Sequence, residues 1–316
     1  MTHTTHMTHM THDPTPTTRD PLRLGISGSS FIYVMPRELV LAAYFDIREA
    51  RIVPFDDRLS RMMLDFMREL MDAVNTSEIE SMECYHSLAW DNGPVLDLML
   101  ESPKVEFWSV HAPYGRFFNP SSPEPEGREG ALAGFLDTIE VAKRLGAKIV
   151  VAHPGVDIVY DSPREKMLGH AADIIRKAAE VAGEHAIRIG IEPLPKQEVG
   201  SSLDEVLRLV EMIGLANVGI TFDTNHLFPP EAMPDMIRKA GDLIVNVHIS
   251  DQDGVERHWM PFEGRLDWPA ILAALADVGY PGPLIYETHL HDAHDCAAVC
   301  ARIVENYRIL SSPISP

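Results

Sequence analysis

Cysteine is scarce: the 316 residues include only Cys84, Cys296 and Cys300. That is too few for a disulfide framework and points to a reduced, cytoplasmic protein. Positive charge is also short. Lys and Arg number 27 against 47 Asp and Glu, a formal net charge of −20 at pH 7. Non-specific nucleic-acid affinity comes mainly from Lys and Arg, so a partner approached through its phosphates is disfavoured. No apolar run approaches the length of a membrane span. The N-terminus lacks the basic-then-apolar order of a secretion signal. A glycine-rich dinucleotide fingerprint is missing as well, because GISGSSF stands where it would follow the first strand. What is present, 45% hydrophobic and 23% charged residues, suits a globular chain with a large core. Length alone suggests about two domains, yet α/β barrels of roughly 250 residues fold as one.

Residues 1–20 alternate Thr, His, Met and Pro, with His3, His6, His9 and His12 at intervals of three. Nothing there repays the entropy of ordering, so a flexible tail is expected, with a second short tail at 311–316. Between them, over 21–310, short apolar runs alternate with amphipathic stretches. Expected strands are Leu22–Ser27, Ile79–His86, Val105–Tyr114, Lys148–His153, Arg188–Leu194, Val218–Asp223, Leu243–Ser250 and Pro283–Thr288. Helical patterns fall between them, as in Pro163–Ala182, Ser202–Ile213 and Trp268–Val278, and the stretch from Phe31 to Ser77 has room for two. Eight β-rich runs separated by helices imply parallel strands with right-handed crossovers, and the count favours a closed (β/α)8 TIM barrel. Met63, Met67 and Met71 recur at helical spacing and read as a helix packing on that barrel. Cys296 and Cys300 share a face of the last helix, and no nearby ligand pattern completes a metal site there.

The informative feature is where the polar residues stand. Six successive strand candidates stay apolar until their C-terminal end, then deliver a metal-ligand side chain: His111, His153, Glu192, Asp223, His248 and Glu287. Residues two apart on a strand share a face. Counting back puts Val151, Gly190, Thr221, Asn246 and Ile285 on the ligands' own face, with Ala152, Ile191, Phe222, Val247 and Tyr286 toward the helices. The same count turns Trp108 toward the helices. One His or Glu at a strand end is ordinarily just a hydrogen-bonded residue, but that account must hold six times in one register. Grouped carboxylates under a barrel mouth each cost several kcal/mol unless paired or metal-bound, and one cation would serve all three. The loops add His226, three past Asp223, and the run Glu256, His258, Trp259, Phe262 and Arg265. Glu256 alone could equally be a solvated acid.

HAPYG, AHPG, Ile-Glu-Pro, DTNH, VHISD, ERHWMPFEGRLDW and YETH, in that order, resemble the xylose-isomerase-like barrels over about residues 21–310. That superfamily joins sugar phosphate isomerases and epimerases with the endonuclease IV type of apurinic endonuclease. For the epimerase branch the resemblance implies one divalent cation held by Glu192, Asp223, His248 and Glu287, with the two glutamates as the proton-exchanging catalytic pair. His226 would touch sugar oxygens. For the endonuclease branch it implies three zinc ions on the same four positions plus His111, His153, His226, Glu256 and His258, with Glu256 where that branch has Asp. Two departures stand out. Phe262 occupies a position that is often glycine in the isomerases, and Gly254 replaces an arginine found in ketose 3-epimerases.

The charge separates the branches, because an endonuclease tracks a duplex through Lys and Arg. The expected activity is therefore a divalent-metal-dependent sugar isomerase or epimerase working through a cis-enediolate. A zinc phosphodiesterase on abasic DNA, or a lyase or dehydratase on a keto-sugar or cyclic polyol, are the alternatives. Three carboxylates and an imidazole suit Mn²⁺, Mg²⁺ or Co²⁺, and recruitment of the extra histidines would shift preference toward Zn²⁺. Trp259, Phe262 and Arg265 are expected at the substrate. The expected partner is an unphosphorylated sugar or polyol, with no nucleic acid and no membrane; a homo-oligomer is compatible with all of this.

Overall fold

The computed structural model describes residues 22–44, 54–90, 92–102, 104–156, 158–196 and 199–312. The two expected tails lie outside these residues, except for Ser311 and Ser312. Eight strands close in sequence order: β1 (Leu24–Ser27), β2 (Ser81–Tyr85), β3 (Glu106–His111), β4 (Ile149–Ala152), β5 (Arg188–Ile191), β6 (Val218–Asp223), β7 (Ile244–Ile249) and β8 (Leu284–Tyr286). Every neighbouring pair is parallel, and β1 pairs with β8 to complete the ring. Except for β6, the strands are shorter than the apolar runs that signal them; His111, Asp223 and His248 stand on strands, while His153, Glu192 and Glu287 directly follow theirs. The helices are α1 (Arg37–Tyr44), α2 (Asp57–Thr76), α3 (Asn92–Leu100), α4 (Pro125–Leu145), α5 (Arg164–Gly183), α6 (Leu203–Ile213), α7 (Met233–Ala240), α8 (Trp268–Asp277) and α9 (Cys296–Leu310). Two of them, α1 and α2, fill the long stretch before β2. No helix among the described residues is long and apolar enough to cross a membrane.

Local chemistry sets the helix ends. Asp56 caps α2 by accepting from the backbone N–H groups of Arg58 and Leu59 at 3.0 and 2.8 Å. Asp295 caps α9 through Ala298, and Gly146 and Gly214 end α4 and α6 in the left-handed conformation. Met63, Met67 and Met71 lie on the buried face of α2. Cys296 and Cys300 are free thiols, both buried in the helix layer, and burial pushes Cys300 up to about 12.

Two apolar layers result. The larger lies between barrel and helices. The smaller closes the inside of the barrel with Trp108, Ile149, Val151, Val245 and Ile285. Trp108 therefore corrects the strand count, since it points into the barrel. The pairing of β2 with β3 slips between Met82 and Glu83, so Ser109 faces Glu83 and one residue of β3 is left over. Such a bulge breaks the two-residue period locally. A similar slip between Ile220 and Thr221 turns Val245 inward beside Asn246. Below Glu192, Gly190 leaves the room its neighbours need: a Cβ there would sit 2.3 Å from Thr221 Oγ1.

Candidate metal centre

The C-terminal ends of β3 to β8 rise to one level, so their last inward residues meet. Asp223 pairs with His248 in register across β6 and β7, and Glu287 lies two past Ile285, the partner of His248 on β8. Glu192 follows β5 directly, its N–H donating to the Ala152 carbonyl at 3.0 Å. One donor atom each from Glu192, Asp223, His248 and Glu287 falls within a 4.8 Å cluster. His248 Nδ1 is 3.2 Å from Glu192 Oε1, 2.8 Å from Glu287 Oε2 and 3.9 Å from Asp223 Oδ2. All four residues are buried.

The electrostatics of this cluster are strained by burial. Desolvation raises the Asp223 carboxyl to about 7, with Glu192 and Glu287 adding to the rise while His226 and His248 oppose it. For Glu192 burial works toward the neutral acid, but His248, His111, His153 and His226 outweigh it and hold the carboxyl well below the usual range. Burial alone would make His226 neutral, yet Asp223 and Glu192 hold it up at about 10. Asp223 Oδ2 and Glu287 Oε2 are buried and make no well-aligned hydrogen bond; each is met only by an imidazole nitrogen, His226 Nδ1 at 3.2 Å and His248 Nδ1 at 2.8 Å. Both belong to the same cluster as His248 Nδ1. Orphaned carboxylate oxygens are costly in a dry interior unless something positive meets them. A divalent cation fits this donor set of three carboxylates and one imidazole.

Two further groups flank the first. His111 and His153 both reach Glu192 Oε2, at 3.2 and 3.1 Å, and lie 3.2 Å apart. On the other side His226, Glu256 and His258 gather, with Glu256 Oε1 at 4.0 Å from His226 and 3.6 Å from His258. His258 beside it lowers Glu256 to about 2. The loop residues are held in place by Asn225, whose side-chain oxygen accepts from the N–H groups of Arg257 and His258 at 2.9 and 3.2 Å. His258 takes the left-handed conformation (φ 55°), and its Nδ1 meets the Glu287 carbonyl at 3.0 Å.

A cavity of about 550 Å³ opens above the cluster, lined among others by Tyr85, Tyr114, Arg116, Lys196 and His289. That volume suits a small-molecule ligand. Trp259, Phe262 and Arg265 are not among the described residues that line it, so the structure does not bring these three to the expected place. The cause is Asp251. Its buried carboxylate accepts from the N–H groups of Gln252, Phe262 and Leu266 and from Trp268 Nε1, at 2.8 to 3.1 Å. That folds the loop back over α8. Phe262 is 50% exposed beside the Trp268 ring, the Arg257 guanidinium lies over Trp259 at 5.1 Å, and Arg265 is spread on the surface toward Asp253.

Sequence reasoning overlooked several residues. Glu83 lies wholly buried in mid-strand on β2, 2.9 Å from His248 Nε2. A single acid inside the apolar run Ser81–Tyr85 was its signal. Tyr85 stacks on His111 at 4.5 Å, with its hydroxyl 3.4 Å from Glu287 Oε1. Ser29 donates to the same oxygen at 3.1 Å.

Residues 72–303 match the family model described as xylose isomerase-like TIM barrel. The chain belongs to that family. It is 28% identical over 176 residues to a D-psicose 3-epimerase of Enterocloster bolteae, covering 54% of this chain and 57% of that protein. An inosose isomerase of Bacillus velezensis is 25% identical over 177 residues, 52% of this chain and 61% of its own length. The chain thus spans about half to two thirds of the length of these curated relatives. Among solved structures, a D-tagatose 3-epimerase-like protein superimposes with a TM-score of 0.65 at 25% identity, over 76% of this chain and 92% of the other. The family member is thus related to sugar epimerases and isomerases.

Proposed function

We propose that this chain, as one catalytic domain over residues 21–310, is a divalent-metal-dependent isomerase or epimerase of an unphosphorylated sugar or polyol. The carrying observation is the convergence of Glu192, Asp223, His248 and Glu287 from four successive strands, with two buried carboxylate oxygens that make no well-aligned hydrogen bond. The relatedness to sugar epimerases supports the substrate class. Mn²⁺, Mg²⁺ or Co²⁺ matches the hardness of the four donors, and Zn²⁺ becomes preferred if the flanking histidines bind as well.

When bound, such a cation supplies a Lewis acid that polarises a carbonyl and its neighbouring hydroxyl. Glu192 and Glu287 then handle the proton at the adjacent carbon: one removes it, and the other returns it through a cis-enediolate of the substrate. Ser29 and Tyr85 hold Glu287 Oε1 in position for this transfer. Asp223 and His248 serve as ligands, while His226 and His258 face the cavity to orient hydroxyls. Burial under the mouth keeps bulk water off the intermediate.

The test is proton exchange. Ketoses and inososes incubated with protein and Mn²⁺ in D2O should gain deuterium at one carbon, read by NMR, and Glu192→Gln should abolish the gain. No exchange across the panel, with metal bound, would refute the reading. A zinc phosphodiesterase is the second reading, favoured by the two flanking groups, His111–His153–Glu192 and His226–Glu256–His258. The net charge of −20 weighs against it, and incision of an abasic duplex would establish it.

A further inference from the structure

Glu83 is fully buried inside the barrel beneath the ligand cluster, on a strand that contributes no ligand. A carboxylate there is costly unless its oxygens are met. Donors from three other strands meet them. Ser109 on β3 donates to Oε2 at 2.7 Å, the Asn246 amide on β7 donates to it at 3.2 Å, and Ser27 at the end of β1 donates to Oε1 at 3.3 Å. The remaining contact is His248 Nε2, 2.9 Å from Oε2. The other nitrogen of that ring, Nδ1, faces Glu192 and Glu287. A second path leads to Glu287: Ser29 Oγ is 3.0 Å from Ser27 Oγ and 3.1 Å from Glu287 Oε1.

We propose that Glu83 is the positioning residue of the metal centre, fixing His248 in the Nε2–H tautomer so that Nδ1 offers its lone pair to the cation. Ser27 and Ser29 extend the same support to Glu287. An imidazole has two tautomers, and only the one with a bare Nδ1 can ligate from this ring orientation. A carboxylate behind a ligating histidine sets both the tautomer and the ring angle. The bulge at Met82/Glu83 belongs to this arrangement, since it brings Ser109 rather than Trp108 opposite the carboxylate.

The inference rests on the metal reading above, and the test separates the two. Metal-stripped protein is titrated calorimetrically with Mn²⁺ alone, for the wild type, Glu83→Gln and Ser109→Ala. In parallel, ¹⁵N-histidine NMR of the proteins loaded with diamagnetic Mg²⁺ reads which His248 nitrogen keeps its proton. Wild type should bind Mn²⁺ with the Nε2–H form dominant. Glu83→Gln should weaken binding by about 10-fold or more and mix the tautomers, and Ser109→Ala should act in the same direction by a few-fold. Wild-type affinity in both variants would overturn the role of Glu83 while leaving the metal reading intact. A wild type that binds no divalent cation would overturn both. If Glu83→Gln does not fold, Ser109→Ala decides: weakened binding upholds the proposal, and unchanged binding rejects it.

Discussion

At the residue scale, each ligand owes its position to being the last inward side chain of its strand. Glu192 and Glu287 are required together in the proposed proton transfer, so Glu192→Gln or Glu287→Gln should each lower kcat by about 10²- to 10⁴-fold, measured on whichever sugar exchanges deuterium. His86 gives a prediction independent of the metal. Its Nδ1 lies 2.7 Å from Thr138 Oγ1, and that hydroxyl donates to the Gly134 carbonyl, so the imidazole is the donor. Burial lowers His86 to about 4 from its ordinary 6.5. The unfolded chain therefore binds the proton first, and the stabilisation present above the ordinary value is lost as pH falls from about 6.5 to about 4. Denaturant melts at pH 7.5 and 4.5 should show the wild type losing about 2–3 kcal/mol more than His86→Gln over that interval. Parallel losses in both proteins would contradict the assignment.

At the scale of elements, the sequence announced most of the barrel because each strand run stays apolar until its ligand. Residues displaced by a bulge were illegible. Trp108 and Val245 break an alternation that only the pairing register reveals. The loop after β7 misled for a different reason. Its aromatic and basic residues follow His258 closely in sequence, but the Asp251 carboxylate gathers the backbone behind them, leaving Phe262 and Arg265 exposed and Trp259 half-buried against the Arg257 guanidinium. Trp259→Ala, Phe262→Ala and Arg265→Ala should consequently leave KM within about 2-fold, since none of the three lines the cavity. A tenfold rise for any of them would place it at the substrate. Gly264 holds the same loop together. A Cβ there would stand 2.3 Å from Asp251 Oδ1 and 2.5 Å from the Gln252 carbonyl. Gly264→Ala should cost about 1–3 kcal/mol in urea unfolding, and a neutral result would mean the loop is looser than the Asp251 network implies.

On the scale of the whole molecule, eight alternations of strand and helix made the closed barrel readable, and the net charge of −20 made a nucleic-acid track unattractive before any coordinates. Glu83 stayed hidden because it stands in mid-strand rather than at a strand end, and its partners come from β1, β3 and β7 and meet only once the ring closes. On the proposed reading the buried carboxylates link folding to a cation, because an ion that binds only the native state stabilises it by mass action. Excess Mn²⁺ should raise Tm, and EDTA should lower it and abolish deuterium exchange together. The most direct test of the shared ion is anomalous diffraction from crystals grown with Mn²⁺. A strong peak bonded to Glu192, Asp223, Glu287 and Nδ1 of His248 is the predicted result. Density showing those four side chains well ordered around no peak, or manganese held elsewhere without them, would contradict it.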